Sequence, residues 1–429
     1  MNKYSFDRNF RTERADGRFD RSLGFIHHYI SLRKHKLAFD TVSDATAFPQ
    51  WRQHVKEKVR ELLCMIPDPK PEFVMLREEK RDDYRIQWWE LYPEDGLAVP
   101  FLMLIPEKVI ATGQPAPAVV CTPGSGAGKE SLAGEPCACP NRFPLRNRQA
   151  WWYVKAGMIV IATDNPGLAK SGEPDMEDYG KAAIRFRIQL MRCGRTYRGF
   201  VTEQRLMMFE FLKKHPLVDP ACLAVSGLSL GCTGTLYPML LNDDIAAMVY
   251  CDFVCDQTIR LLATTDFHSD DFPSIDFLPG ETEWFSIQPD LVAALAPRRI
   301  LLAEGGPWIG HVETVVRAYE MLGMRDRLTL HYYPKYSTIE SRSHDGDDLR
   351  QARGITPEEY LQWANVDVSQ HSFHPDLAIP WLKEIFFGDE VELFDNPEMM
   401  LELQRAKEET EHFFTVDGKP RPFPTSGGK

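Results

Sequence analysis

Apolar residues along this chain recur at two different spacings, and the change from one to the other marks its organisation. Up to about residue 70 they fall at helical intervals, as in Phe25, Ile26, Tyr29 and Ile30, then Val55, Val59, Leu62 and Leu63. The run ends at the breakers Pro67 to Pro71. This predicts a helical N-terminal appendage over residues 1–70. From Phe73 to Pro106 the pattern becomes strand-like. The runs Tyr84–Tyr92 and Val99–Ile105 flank Pro93 to Gly96, which has hairpin turn chemistry, so the sheet should open antiparallel. Short apolar strands then alternate with helical stretches: Ala118–Cys121, Met158–Ala162, Leu223–Ser226, Ala247–Cys251, Ile300–Ala303 and Leu328–Tyr332. Continuous apolar strands spaced by helices indicate a mostly parallel sheet covered on both faces. The fold class is therefore α/β, with a core over 71–390, a charged, turn-rich insertion at about 336–368, a closing helix over Asp376–Phe387, and a C-terminal helix and tail over 391–429.

Composition narrows the function classes. The chain has 429 residues, 43% of them hydrophobic, so it can bury a sizeable core. With 50 basic against 62 acidic side chains its net charge is −12, which repels phosphate backbones and anionic lipid. Nucleic acid and membrane are accordingly excluded as first expectations. The opening Met1 to Phe10 lacks a secretory apolar run, and no segment approaches the ~18 apolar residues of a membrane span, so a cytoplasmic location is expected. The nine cysteines are odd in number and scattered, which suits reduced thiols.

The candidate chemistry follows the strand Leu223–Ser226. There the chain reads Gly227, Leu228, Ser229, Leu230, Gly231, and then a helix start rich in small residues. This is a G-x-S-x-G nucleophile elbow in the context it requires. A strand must turn sharply into a helix, leaving the serine strained and its hydroxyl exposed, while the flanking glycines permit close backbone packing.

With the elbow go other stretches: Pro123–Gly134, Thr163–Gly167, Cys251–Phe253, Ala294–Arg298, Ala303–Gly306, His331–Lys335, and His371–Phe373 before Pro380–Lys383. Together they resemble the α/β-hydrolase superfamily, in its acetyl-xylan-esterase-like and dienelactone-hydrolase-like group of serine esterases. The resemblance implies an α/β-hydrolase fold and a triad in the chain order serine, acid, histidine. A serine hydroxyl is a weak nucleophile at neutral pH, so a histidine must take its proton and a carboxylate must hold that histidine in the right tautomer. Ser229 would be the nucleophile. Among the later histidines His344, His371 and His374 remain, and His371 matches the family's H-x-F unit ahead of a W-L-K helix. His374 would otherwise cap or pack the helix. At the acid this sequence departs from the pattern, because Trp308 stands where relatives commonly carry aspartate. Asp252 at the tip of the preceding strand, Ala247–Cys251, is the first alternative, with Asp256 and Glu304 behind it. The oxyanion hole would use backbone N–H groups of Leu230 and of Gly124 and Ser125.

Other readings of these motifs are weaker. The loop Gly124 to Ser131 imitates a phosphate-binding P-loop, but Pro123 replaces its first glycine and Glu130 its Mg²⁺-binding hydroxyl. His371 with His374, and Cys137 with Cys139, lack the second ligand pair of a zinc site, so no metal and no cofactor are expected. Of the aromatic set Trp151, Trp152, Trp284, Phe285 and Trp308, the residues nearest the active-edge loops, Trp284 and Trp308, are candidates for substrate stacking. The implied partner is a small or carbohydrate-linked acetyl ester. A homo-oligomer is left open, as are lactone, C–C or amide cleavage on the same elbow and a non-catalytic binding protein on a hydrolase scaffold.

Overall fold

Side chains along a strand alternate between two faces, and here both faces are covered, so the strands read as unbroken apolar runs. In β5 (Ile159–Thr163), Ile159 and Ile161 join one buried cluster while Val160 and Ala162 join the other. The computed structural model describes residues 18–19, 22–125, 127–137, 143–167, 179–251, 254–256, 277–304, 309–332, 371–388, 397–416 and 419–420. Asp252, Trp308, His344, the stretch 336–368 and the side chain of Glu304 lie outside this description.

Among the described residues nine strands form one sheet in the order β1-β2-β3-β5-β4-β6-β7-β8-β9. The antiparallel part is β1 (Glu72–Lys80), β2 (Tyr84–Tyr92) and β3 (Val99–Pro106), joined antiparallel to β5 with Phe101 opposite Thr163. From β5 onward, β4 (Ala116–Thr122), β6 (Val218–Leu228), β7 (Ile245–Cys251), β8 (Arg299–Glu304) and β9 (Leu328–Tyr332) run parallel. Their carboxyl ends align: Thr122 pairs with Gly227, Leu228 with Cys251, and Cys251 with Ala303. Loops leaving these tips therefore converge on one edge, where open parallel sheets build their sites.

Helix α1 (Ser22–Ser31) precedes α2 (Phe48–Leu63), whose Phe48, Trp51, Val55, Val59 and Leu63 are buried at helical spacing in the same cluster as the sheet. After α3 (Glu107–Thr112), α4 (Lys129–Ala133), α5 (Gln149–Lys155) and α6 (Tyr179–Arg192) comes α7 (Tyr197–Lys214). At its start the Thr196 hydroxyl accepts from Gly199 N at 2.9 Å and donates to Leu63 O at 2.6 Å, which locks the end of α2 to the start of α7. The same face takes α8 (Leu230–Leu241), α9 (Gln288–Ala293) and α10 (Ile309–Met321). The opposite face is covered by α5, α11 (Pro375–Phe387) and α12 (Pro397–Phe414). Helix α12 is tied down as well as packed, since Arg146 Nε donates to Thr410 Oγ1 at 2.7 Å and Arg148 pairs with Glu402.

Candidate active site

Strand β6 ends at Leu228 and α8 begins at Leu230, so a single residue, Ser229, makes the turn. Its backbone sits at φ 56° and ψ −120°, a conformation L-residues rarely adopt and one that costs on the order of 1–3 kcal/mol. The surroundings enforce it. Ser229 N donates to Cys251 O at 3.1 Å, and the Cys232 thiol donates to the same carbonyl at 3.1 Å, stapling the turn to the tip of β7. A methyl group added at Gly231 would lie 2.3 Å from Thr122 O, and one added at Gly227 would lie 2.5 Å from Gly231 O. Both glycines of the motif are thus required by contact with backbone, and α8 starts directly against the end of β4. Leu230 supplies the first N–H of α8, a donor with no intrahelical acceptor.

The loop that leaves β4 at Pro123 brings Gly124 against this turn. The added-methyl position at Gly124 lies 3.6 Å from Ser229 Cβ, ordinary van der Waals contact, so the loop faces the serine. Two consecutive residues just beyond β5 hold it. Asn165 Nδ2 donates to Pro123 O at 2.8 Å and to Gly124 O at 3.3 Å. Asp164 accepts Lys129 N at 2.7 Å on one oxygen and Lys129 Nζ at 2.7 Å on the other, fixing the first residue of α4. Lys129 and Asp164 side chains are 7% and 4% exposed, and Glu130 Oε1 adds a second contact to Lys129 at 3.2 Å. Burial pushes the Lys129 ammonium down, but Asp164 and then Glu130 more than offset it, and its pKa lies above the usual lysine value. The buried Arg205 guanidinium donates to Asp164 O, and burial lowers its pKa to about 10. Sequence reading assigned no role to Asp164 or Asn165. The available signal was their place right after an apolar strand, within the Thr163–Gly167 stretch.

His371 is half-buried on the segment leading into α11, and the residues after it anchor that segment. Phe373 N donates to Asn147 Oδ1 at 2.7 Å, and the Phe373 ring meets Tyr153 edge-on at 5.7 Å. Tyr153 OH donates to Ser226 Oγ at 3.0 Å, and Ser226 Oγ donates to Gln149 Oε1 at 2.8 Å. The support of the His371 segment thus ends in β6, three residues before Ser229. Phe373 also shares its buried cluster with Leu228, Cys251 and Ala303, the tip residues of three parallel strands. His374 immediately precedes α11, is 5% exposed, makes no side-chain cap, and offers its carbonyl to Leu377 N and Ala378 N at 3.1 and 2.9 Å.

Of the other candidates, Asp256 N donates to the buried His311 Nδ1 at 3.4 Å, and Asp256 bridges Ile287. Ile287, at φ 68° and 3% exposed, is a second strained position beside this strand edge. Gly124 is half-buried and Ser125 exposed. The Trp284 ring carries the Lys58 ammonium at 4.1 Å and the Lys36 ammonium at 4.7 Å, which ties it to α2 and to the segment before it. Lys129, the lysine of the glycine-rich loop, is committed to Asp164.

A serine on a strained strand-to-helix turn, faced by a backbone loop from a neighbouring parallel strand, is the arrangement of an α/β-hydrolase fold. The chain belongs to the Abhydrolase family, whose model matches residues 4–384. A Bacteroides fragilis protein assigned as an acetyl xylan esterase is similar at 31% identity and a TM-score of 0.75, over 89% of this chain and 99% of that one. A methylesterase is 16% identical over 94% of this chain and 82% of its own, with a TM-score of 0.49. A glucuronoyl esterase from Solibacter usitatus is 14% identical over 75% and 94%, with a TM-score of 0.48. A search of curated proteins returned no match.

Proposed function

We propose that the protein is a serine carboxylic-ester hydrolase working through an acyl-enzyme. The observation that carries this reading is the backbone of Ser229, held at φ 56° between β6 and α8 with the Gly124 loop against it. Ser229 Oγ attacks the ester carbonyl carbon while His371 takes its proton. Leu230 N–H and the N–H groups of Gly124 and Ser125 receive the developing oxyanion. The tetrahedral intermediate collapses, the leaving alcohol takes the proton from His371, and water activated by the same histidine releases the acid. Asp252 orients His371, with Glu304 and Asp256 as alternatives, and Trp308 borders the substrate. The likeness to an acetyl xylan esterase at 31% identity supports an acetylated carbohydrate or another small ester as substrate.

A fluorophosphonate probe tests the reading, because only an activated serine reacts quickly. Wild type should label within minutes and Ser229→Ala not at all. Absence of labelling in the wild type would favour a non-catalytic binding protein on this scaffold. Asp252→Asn should cut turnover of a short-chain aryl ester by at least about a hundredfold with little change in thermal midpoint, since a misoriented histidine is far more costly to rate than to stability. An Asp252→Asn variant with near wild-type turnover would move the role to Glu304 or Asp256.

A further inference from the structure

Proton transfer from Ser229 to His371 needs the imidazole held in one position relative to the serine, and the two residues arrive from distant parts of the chain. Helix α5 and the turn before it are fastened to both. Gln149 and Tyr153 of α5 stand one helical turn apart, are both fully buried, and meet the same side chain of β6. Tyr153 OH donates to Ser226 Oγ at 3.0 Å, and Ser226 Oγ donates to Gln149 Oε1 at 2.8 Å. A hydroxyl that accepts from one residue of a helix and donates to another has one orientation, so α5 is indexed to β6 three residues before the serine.

Just ahead of α5, Asn147 makes the corresponding contact on the histidine side. It is 5% exposed, and its own N–H donates to Phe143 O at 2.9 Å, which fixes the turn it sits on. Its Oδ1 accepts the N–H of the fully buried Phe373 at 2.7 Å. Phe373 precedes α11, where the first intrahelical bonds run from Leu377 N and Ala378 N to His374 O, so its own N–H lies outside the helix and takes its acceptor from the Asn147 side chain. Phe373 is two residues after His371, and Asn147 is two before Gln149. Nucleophile and base are therefore joined through two side-chain hydrogen bonds, of 2.8 and 2.7 Å, and covalent stretches of two or three residues.

We propose that Asn147 is a positioning residue for the hydrolysis: its Oδ1 holds the main chain beside His371 and so sets where the imidazole stands relative to Ser229, without touching substrate. This role rests on the hydrolase reading and adds to it a residue that neither the serine elbow nor the H-x-F unit contains.

The test compares Asn147→Leu with Asn147→Asp in the full-length protein, by turnover of a short-chain aryl ester and by the rate of fluorophosphonate labelling. Both variants lose the Nδ2 donors, and only the aspartate keeps an oxygen for Phe373 N–H, so the difference between them isolates the acceptor. Asn147→Leu should lower kcat and the labelling rate about ten- to a hundredfold with KM within about twofold, the scale on which an ångström of misplacement costs rate. Asn147→Asp should stay within about threefold of wild type. Should the leucine variant not fold, Asn147→Ser, which is too short to reach Phe373 N, carries the same expectation. Tyr319→Phe is the stability control. It removes the hydrogen bond from the fully buried Tyr319 to Arg298 O at 2.6 Å, just before the start of β8 and so at the opposite end of the sheet from the strand tips, and should lower the thermal midpoint with kcat unchanged. Wild-type kcat in Asn147→Leu, equal losses in the leucine and aspartate variants, or a loss of kcat in Tyr319→Phe as large as in Asn147→Leu would overturn the role of Asn147 while wild-type labelling leaves the hydrolase reading standing. A wild type that neither labels nor turns over the ester would overturn that reading, and the role of Asn147 with it.

Discussion

Around Ser229 the chain is held by its own backbone, with Cys251 O accepting both Ser229 N and the Cys232 thiol at 3.1 Å, and with Gly227 and Gly231 pressed against carbonyls. The loop that faces it, Pro123 to Gly128, is held by side chains reaching in from the next strand. Asn165 clamps its entry at 2.8 Å and the Asp164–Lys129 pair fixes its exit at 2.7 Å. Backbone packing leaves no room for adjustment at Gly227 and Gly231, so substitution of these glycines should lose both function and stability. Side-chain clamps can be cut one at a time, so the loop should lose alignment while remaining folded.

The largest effect expected is on the serine itself. Ser229→Ala should lower turnover of a short-chain aryl ester by at least about a thousandfold at unchanged thermal midpoint, and His371→Ala should match it, with the double variant no worse because the two act as one unit. If His371→Ala kept a tenth of wild-type turnover, the base would have to be sought elsewhere in the chain.

Next comes the contrast between two glycines. Gly231→Ala puts a methyl group 2.3 Å from Thr122 O, whereas Gly124→Ala meets atoms only at 3.5 and 3.6 Å. Overpacking against rigid backbone costs on the order of 1–3 kcal/mol, so Gly231→Ala should lose several degrees of thermal midpoint and at least about tenfold in turnover. Gly124→Ala should melt with the wild type. Similar melting of the two variants, read by differential scanning calorimetry, would erase the distinction between the regions.

Cutting a clamp should be milder for folding than for rate. Asn165→Leu is expected to lower kcat about ten- to a hundredfold with KM nearly unchanged, because donors displaced by an ångström lose most of their effect on the transition state. A large rise in KM with kcat intact would show that the loop binds substrate and does not align donors.

The smallest effect is a control outside both regions. Glu203 in α7 is pushed up to about 7, chiefly by burial, although Ile66 N and Arg195 pull it back. A carboxyl group raised in the folded state favours its protonated form there. Its stabilising contribution is complete below the ordinary value of 4.5 and is lost as pH rises through about 7. The thermal midpoint of wild type minus that of Glu203→Gln should therefore fall between about pH 4.5 and 7 and level off above. Turnover of the variant at fixed pH should stay at the wild-type value. A difference that rose over that range would reverse the sign assigned to Glu203.

How much of this was legible depends on whether the information is local. The six parallel strands stand out because each is a short, continuous apolar run between turn residues, and the β2–β3 hairpin shows through its turn chemistry. The elbow is five consecutive residues, and its demand for glycine is set by a turn those same residues make. Strand β1 was not singled out. Its run Glu72–Lys80 is charged and largely exposed, as an edge strand is, and only its pairing with β2 makes it a strand. Helix α2 read as an appendage because helical spacing does not reveal what covers the apolar face, and that face joins the main core.

What the amino-acid order alone determined is therefore the sheet's strands other than β1, the serine turn and the histidine segment ahead of α11, each written in local periodicity or a short motif. Tertiary structure decided which polar groups meet. Lys129 and Asp164 are 35 positions apart, Asn165 and Gly124 are 41 apart, and Phe373 and Asn147 are 226 apart. Read singly, each of these polar side chains belongs on the surface. They are buried because β5 lies beside β4 and the chain before α11 returns to the tips of the parallel strands, and a polar group can leave water there only where a partner from a distant part of the chain has been brought to meet it.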